Sequence, residues 1–209
     1  SKAIEINPND SFAYVLRASA KASIKDSKGA LRDLSKAIEI DPDYEYAYLS
    51  RGNRKYELKD YVGAIKDYTK LIEIDPKNYQ AYRSRGDSKS GLKDPKGAII
   101  DYTKSIEINP NEAFTYVLRG NKKSDIKDHD GAIKDYSKAI EINPNDSFAY
   151  VLRGNRKSNL NDYKGALEDI TKGIDIDPTY PYAYLSRGDT KYKLKDYSGA
   201  IKDYTKAIE

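Results

Sequence analysis

The sequence predicts an all-α fold, a solenoid of stacked antiparallel helix pairs. Three observations predict it. Pro8, Pro42, Pro76, Pro110, Pro144 and Pro178 stand 34 residues apart, a fixed period that marks a repeat array. Tyr14, Tyr48, Tyr82, Tyr116, Tyr150 and Tyr184 recur at the same interval, as do Gly-Ala pairs from 29–30 to 199–200, with no inserted residue. The composition, 33% charged and 38% hydrophobic, is too polar for one large core. It suits short units that each bury a narrow stripe against their neighbours.

Repeats are counted as 11–44, 45–78, 79–112, 113–146 and 147–180, with 181–209 incomplete and 1–10 the tail of a preceding repeat. All lie in one solenoid spanning 1–209. In the second repeat, Ala47, Tyr48, Arg51 and Gly52 share a helical face, so a first helix is expected over about 45–58. Lys59-Asp60 makes the turn. Asp26, Asp60, Asp94, Asp128, Asp162 and Asp196 all occupy it, placed to cap the next helix by accepting its free N–H groups. Pro95 after Asp94 suits the first helical position, where a missing donor costs nothing. Ala64, Ile65, Tyr68, Ile72 and Ile74 give a second helix over about 61–74, and the proline that follows stops it.

The segment YAYLSRGNRKYELKDYVGAIKDYTKLIEIDP has aromatic, Gly, Asp-Tyr, Gly-Ala, Tyr and Pro landmarks in an order that resembles the tetratricopeptide repeat family. The resemblance covers essentially the whole chain. It implies a right-handed superhelix whose first helices line a concave face. Two places depart from the family. The seventh is Arg (17, 51, 85, 119, 153, 187) where Leu is common, and the eleventh is Lys where Tyr is frequent. Residues 1–17 recur identically at 137–153, four repeats on. This suggests a duplicated block and an excerpt of a longer array with exposed ends.

The seventh-place Arg, the eleventh-place Lys and an Asp in the twenty-third place (33, 67, 101, 135, 169, 203) each occur six times. A ladder for an acidic ligand is one reading. Pairing of Arg with Asp between the two helices of a repeat is favoured, because a half-buried guanidinium needs a carboxylate.

On the first helices, the second, fifth, ninth and twelfth places share a stripe. It offers Phe12 and Val15, Tyr46 and Leu49, Phe114 and Val117, Phe148 and Val151, and Tyr182 and Leu185, with Arg83 interrupting. Ser19, Asn53, Asp87, Asn121, Asn155 and Asp189 form a short polar column beside it. An aromatic–aliphatic track beside amides suits an extended peptide, with Asn binding its backbone N–H and C=O alike. Packing of these apolar residues between first helices is an equal alternative. The Asn column resembles the asparagine ladders of peptide-binding family members. The clamp by which some members hold chaperone C-terminal tails requires Lys in the fifth place. Here that place is Val15, Leu49, Arg83, Val117, Val151 and Leu185, so chaperone tails are not expected.

The chain has no Cys, and His129 is its only histidine, expected as a solvated turn residue. Thiol chemistry is excluded, no cofactor or metal site is indicated, and an enzyme is not expected. A net charge of +4, with both signs interleaved, argues against nucleic acid. No run approaches the roughly 18 apolar residues of a membrane span. The expectation is a cytoplasmic protein-interaction scaffold holding a protein or peptide in its concave groove. The alternatives are a rod that self-associates end to end and, more remotely, a single-strand nucleic-acid binder.

Overall fold

A computed structural model describes residues 2–209, and of Ala3 the backbone only. Ser1, which opens the duplicated segment, lies outside the described residues. Every regular element among the described residues is a helix. Two compact halves divide the chain, one ending at Ile108 and one running from Asn109 to Glu209.

In the first half, the stub α1 (Lys2–Ile6) precedes three helix pairs: α2 (Ser11–Ser23) with α3 (Ser27–Ile40), α4 (Glu45–Glu57) with α5 (Tyr61–Ile74), and α6 (Tyr79–Gly91) with α7 (Pro95–Ile108). The second half pairs α8 (Ala113–Asp125) with α9 (His129–Ile142), α10 (Ser147–Asn159) with α11 (Tyr163–Ile176), and α12 (Pro181–Lys193) with α13 (Tyr197–Ile208). The partners in each pair run antiparallel. First helices of neighbouring repeats also touch, α4 with α6 and α10 with α12, so each half presents a face made of first helices.

The hairpin turn follows from two residues serving two helices. After α4, Lys59 adopts φ 62°, and its N–H bonds Tyr56 while that of Asp60 bonds Lys55. This is the left-handed cap that satisfies orphan carbonyls at a helix end. Lys25, Lys93, Lys127, Asn161 and Lys195 take the same conformation, where glycine would be the default. Asp60 then caps α5 by accepting from the Gly63 N–H at 2.9 Å. The other five turn aspartates do likewise, as their spacing predicted. A Cβ at Gly63 would lie 2.1 Å from the Asp60 carboxylate as it stands, so an alanine there would need the carboxylate to shift, whereas Asp10, Asn78 and Asp146 make the same cap onto Ala13, Ala81 and Ala149. Pro95 opens α7 as expected, and each proline of the 34-residue period stands two residues beyond a helix end. His129 departs from expectation. It is the first residue of α9, half-buried, with Nδ1 shielded from solvent and without a protein partner.

Close packing holds each pair. Ala47, Ala64, Ala81 and Ala98 are fully buried, and Tyr68 and Tyr102 are 1% exposed. The phenol rings lie against the first helix. A Cβ at Gly52 would stand 2.7 Å from Tyr68 Cε1, and one at Gly86 the same distance from Tyr102.

The invariant charges form a layer inside the pairs. Arg51 Nε and Nη2 donate to both oxygens of Asp67 at 3.0 and 2.7 Å, and Lys55 Nζ reaches the same carboxylate at 2.8 Å. The trio repeats as Arg17, Lys21, Asp33; Arg85, Lys89, Asp101; Arg119, Lys123, Asp135; Arg153, Lys157, Asp169; and Arg187, Lys191, Asp203. Each guanidinium also lies 5.3–5.8 Å over the fourth-place Tyr ring. Arg51 and Arg85 additionally donate to Ser35 and Thr69 of the preceding repeat. Removing a carboxylate from water costs several kcal/mol, and two cations with bidentate geometry offset it. At Asp33 and Asp203, burial pushes the carboxyl upward, yet the Arg and Lys bonds outweigh it and hold it below the usual carboxylate range. The pairing of Arg with Asp is therefore structural, and the ladder faces inward.

Candidate functional site

The first-helix stripe divides once its burial is known. Its second-place aromatics all stand out into solvent: Phe12, Tyr46, Phe114, Phe148 and Tyr182, with 40–56% of their surface exposed. The fifth-place valines do not. Val15, Val117 and Val151 are at most 3% exposed, which corrects their assignment to the groove. Val15 lies in a cluster with Ala18, Ala30, Leu34, Ala37 and Ala47, and Val151 in one with Ile170, Ile174 and Ala183. The fifth place points at the seam between a repeat's second helix and the next first helix. Full burial of Val there is worth roughly 1.5–3 kcal/mol over exposure, so packing takes it. Leu49 is half-buried against a core of Tyr48, Leu71 and Ala81. Arg83 is half-buried, and only Leu185 keeps 43% exposure.

The polar column is built differently from the sequence reading. Tyr68 Oη donates to Asn53 Oδ1 at 2.8 Å and Tyr136 Oη to Asn121 Oδ1 at 2.8 Å. The aspartates are held the same way, Asp87 by Tyr102 at 2.7 Å and Asp189 by Tyr204 at 2.9 Å. Free Asn amides offering both a donor and an acceptor were expected. Instead a phenol from the second helix engages the carbonyl and turns the amide outward as a donor. Burial raises all of these phenols above their ordinary range, Tyr136 to about 12, so they stay protonated donors. Sequence reasoning did not connect these tyrosines to the column, although each stands fifteen residues after its partner. The fifth repeat shows what the interval means. Ile170 replaces the Tyr there, and Asn155 Nδ2 instead donates to Tyr182 Oη of the next first helix at 3.2 Å.

Aromatic residues at the helix entrances extend the track. Tyr44 stands 6.5 Å from the Tyr46 ring. In the second half Tyr180 bridges Phe148 and Tyr182 at 6.4 and 5.9 Å. Tyr44 and Tyr180 precede α4 and α12 at the position where Asp10, Asn78 and Asp146 cap their helices. Two repeats thus exchange a cap for an aromatic surface.

Glycine under a phenol recurs in the second, third, fourth and sixth repeats, and each of the six prolines of the 34-residue period stands two residues past a helix end. The tetratricopeptide repeat model matches at 13–44, 46–78, 79–112, 115–146, 149–180 and 181–209. The chain belongs to the tetratricopeptide repeat family. Among solved structures it is similar to YrrB, described as a TPR protein with an unusual peptide-binding site, at 26% identity and a TM-score of 0.73 over 87% of this chain and 94% of that one. It is similar to MamA at 27% identity, with a TM-score of 0.71 over 75% and 92% of the respective chains. A tetratricopeptide repeat protein of Parabacteroides merdae shares the fold at 17% identity and a TM-score of 0.83, covering 95% and 78%. Among curated protein sequences, none matches. Such repeats and neighbours support a protein-interaction scaffold. Among the described residues no helix is long and apolar enough to cross a membrane, and no group of three or more His, Asp or Glu is placed to hold a metal.

Proposed function

We propose that the first-helix face of each half binds a segment of a partner protein in an extended form. The observation that carries this reading is the pairing of exposed second-place aromatics with ninth-place amides already oriented by buried phenols. Phe114 and Phe148 offer apolar contact, and Asn121 offers an N–H donor whose direction Tyr136 fixes. Preorganised donors beside rigid aromatic surface lower the ordering cost of binding. YrrB, described as having a peptide-binding site, lends the reading support by likeness. The binding is non-covalent, and the side chains on this face have no role in bond-making.

Peptides selected from a random library on the immobilised chain supply the test. Phe114→Ser together with Phe148→Ser is expected to weaken a selected peptide at least tenfold by calorimetry, with helicity by circular dichroism unchanged. Unaltered affinity would remove this face from consideration. A rod that stacks on copies of itself would instead show sedimentation that grows with concentration in the absence of any peptide.

A further inference from the structure

The first repeat departs from its sisters at two touching positions. In the second, third, fourth and sixth repeats, a second-helix Tyr lies on a first-helix Gly, as Tyr68 does on Gly52. The Tyr68 hydroxyl bonds Asn53 and sits beside Ser84 and Asp87. The first repeat has Ala18 and Leu34 at the corresponding places. Moved back by one repeat, the surroundings of the Tyr68 hydroxyl become Ser19, Ser50 and Asn53. Those three residues line a cleft of about 200 Å³ together with the apolar Val15, Ala18, Ala22 and Leu34, the Tyr46 ring and the Arg54–Glu57 ion pair. The cleft lies where its sisters place a phenol. Leu34 and the Ala18 methyl fill only the bottom.

The fifth repeat also lacks the Tyr, but there Tyr182 reaches over to Asn155. In the first repeat the residue at the Asn155 place is Ser19, too short to hold Tyr46, which remains 56% exposed beside the opening.

We propose that this cleft receives the side chain of a tyrosine from a bound partner peptide. The inference rests on the partner-binding reading above and names one residue of the guest. Its size is sufficient, since an apolar cavity of about 150 Å³ already accepts benzene. Its chemistry matches a phenol from base to tip, with aliphatic side chains beneath the ring and the Tyr46 ring along its edge. At the mouth, the Ser19 and Ser50 hydroxyls and the Asn53 amide meet a hydroxyl. Tyr68 already occupies Asn53 Oδ1, so Asn53 serves the guest through Nδ2–H. An aliphatic guest fills the apolar part but offers nothing to the Ser19 and Ser50 hydroxyls or to Asn53 Nδ2–H.

N-acetyl-tyrosinamide is the probe, titrated into the full chain and followed by amide NMR. Saturable shifts centred on Ser19, Ser50 and Asn53 are expected, with affinity at least threefold above that of N-acetyl-leucinamide. Ala18→Gly with Leu34→Tyr installs the sister pair and is expected to reduce that affinity at least tenfold while helicity is retained. Gly52→Ala with Tyr68→Leu is the reciprocal change and is expected to open a second site in the next repeat, doubling the stoichiometry. Absence of saturable shifts, equal or tighter leucinamide binding, or undiminished binding in a folded Ala18→Gly/Leu34→Tyr chain would overturn the proposal. Should that double variant not fold, failure of the reciprocal one to gain a site would do so. The peptide test on Phe114 and Phe148 lies in the other half, so failure of that reading and failure of this one are read in separate measurements.

Discussion

In the charged layer, Asp67 meets Arg51 and Lys55 with the geometry in which Asp203 meets Arg187 and Lys191. On the first-helix face, the second place is Phe, Tyr or Gln, and the ninth is Ser, Asn or Asp. Both regions are built from the same 34-residue period, and they differ in what surrounds them. A buried carboxylate tolerates few solutions, because it has left water and depends on the charged donors around it. A side chain facing solvent tolerates many. Repetition in this array therefore marks packing, and variation marks the surface available to a partner.

That contrast is broken most directly at Asp101, whose side chain is 1% exposed between Arg85 and Lys89. Asp101→Ala is expected to cost about 3–5 kcal/mol, read as a drop in the urea midpoint. A change below 1 kcal/mol would mean that the layer is not what holds the pairs. Gly86→Ala comes next. Its new methyl would stand 2.7 Å from Tyr102 Cε1 and 3.3 Å from the Ala98 carbonyl, an overpacking worth about 1–3 kcal/mol. Gln80→Ala, on the exposed face of the same helix, should stay within roughly 0.5 kcal/mol, and a larger effect would blur the division between layer and face.

Lys59→Gly sharpens the comparison from the turn. Lys59 holds φ 62°, a conformation that costs L-residues roughly 1 kcal/mol and glycine little. A gain of about 0.5–1 kcal/mol is expected in the thermal midpoint, and a loss would show that the Lys side chain matters more than its backbone. The smallest effect is alkaline. The Tyr136 phenol is raised by burial to about 12 from an ordinary 10. A raised folded value contributes stability below pH 10 that is lost as pH climbs from 10 towards 12. Denaturant stability should therefore fall less steeply across that window in Tyr136→Phe than in the parent chain, and equal slopes would place the phenol in water.

Much of the fold was legible before any coordinates. The proline period, the turn aspartates and the Gly-Ala pairs are local, and their physics is settled within a few residues. The seventh-place Arg and twenty-third-place Asp could be paired on charge alone. The face was read less well. Amphipathic spacing left Val15, Val117 and Val151 between groove and packing seam, because a helical wheel reports angle but not which neighbouring helix lies at that angle. The phenols of Tyr68 and Tyr136 were missed for the same reason. Nothing local joins a tyrosine to an asparagine fifteen residues earlier until two helices fold back on each other.

By itself the sequence determined the unit: helix lengths, caps, stops and the ion pair that ties each hairpin. These depend on contacts within one turn or on charges that recur at a fixed interval on the two helices of one hairpin. Tertiary structure decided which apolar side chains are spent in the seam and which remain at the surface. It also decided where the absence of a phenol beside Leu34 leaves room. Burial is a property of the neighbours a residue acquires, and those are set only when one helix pair is laid against the next.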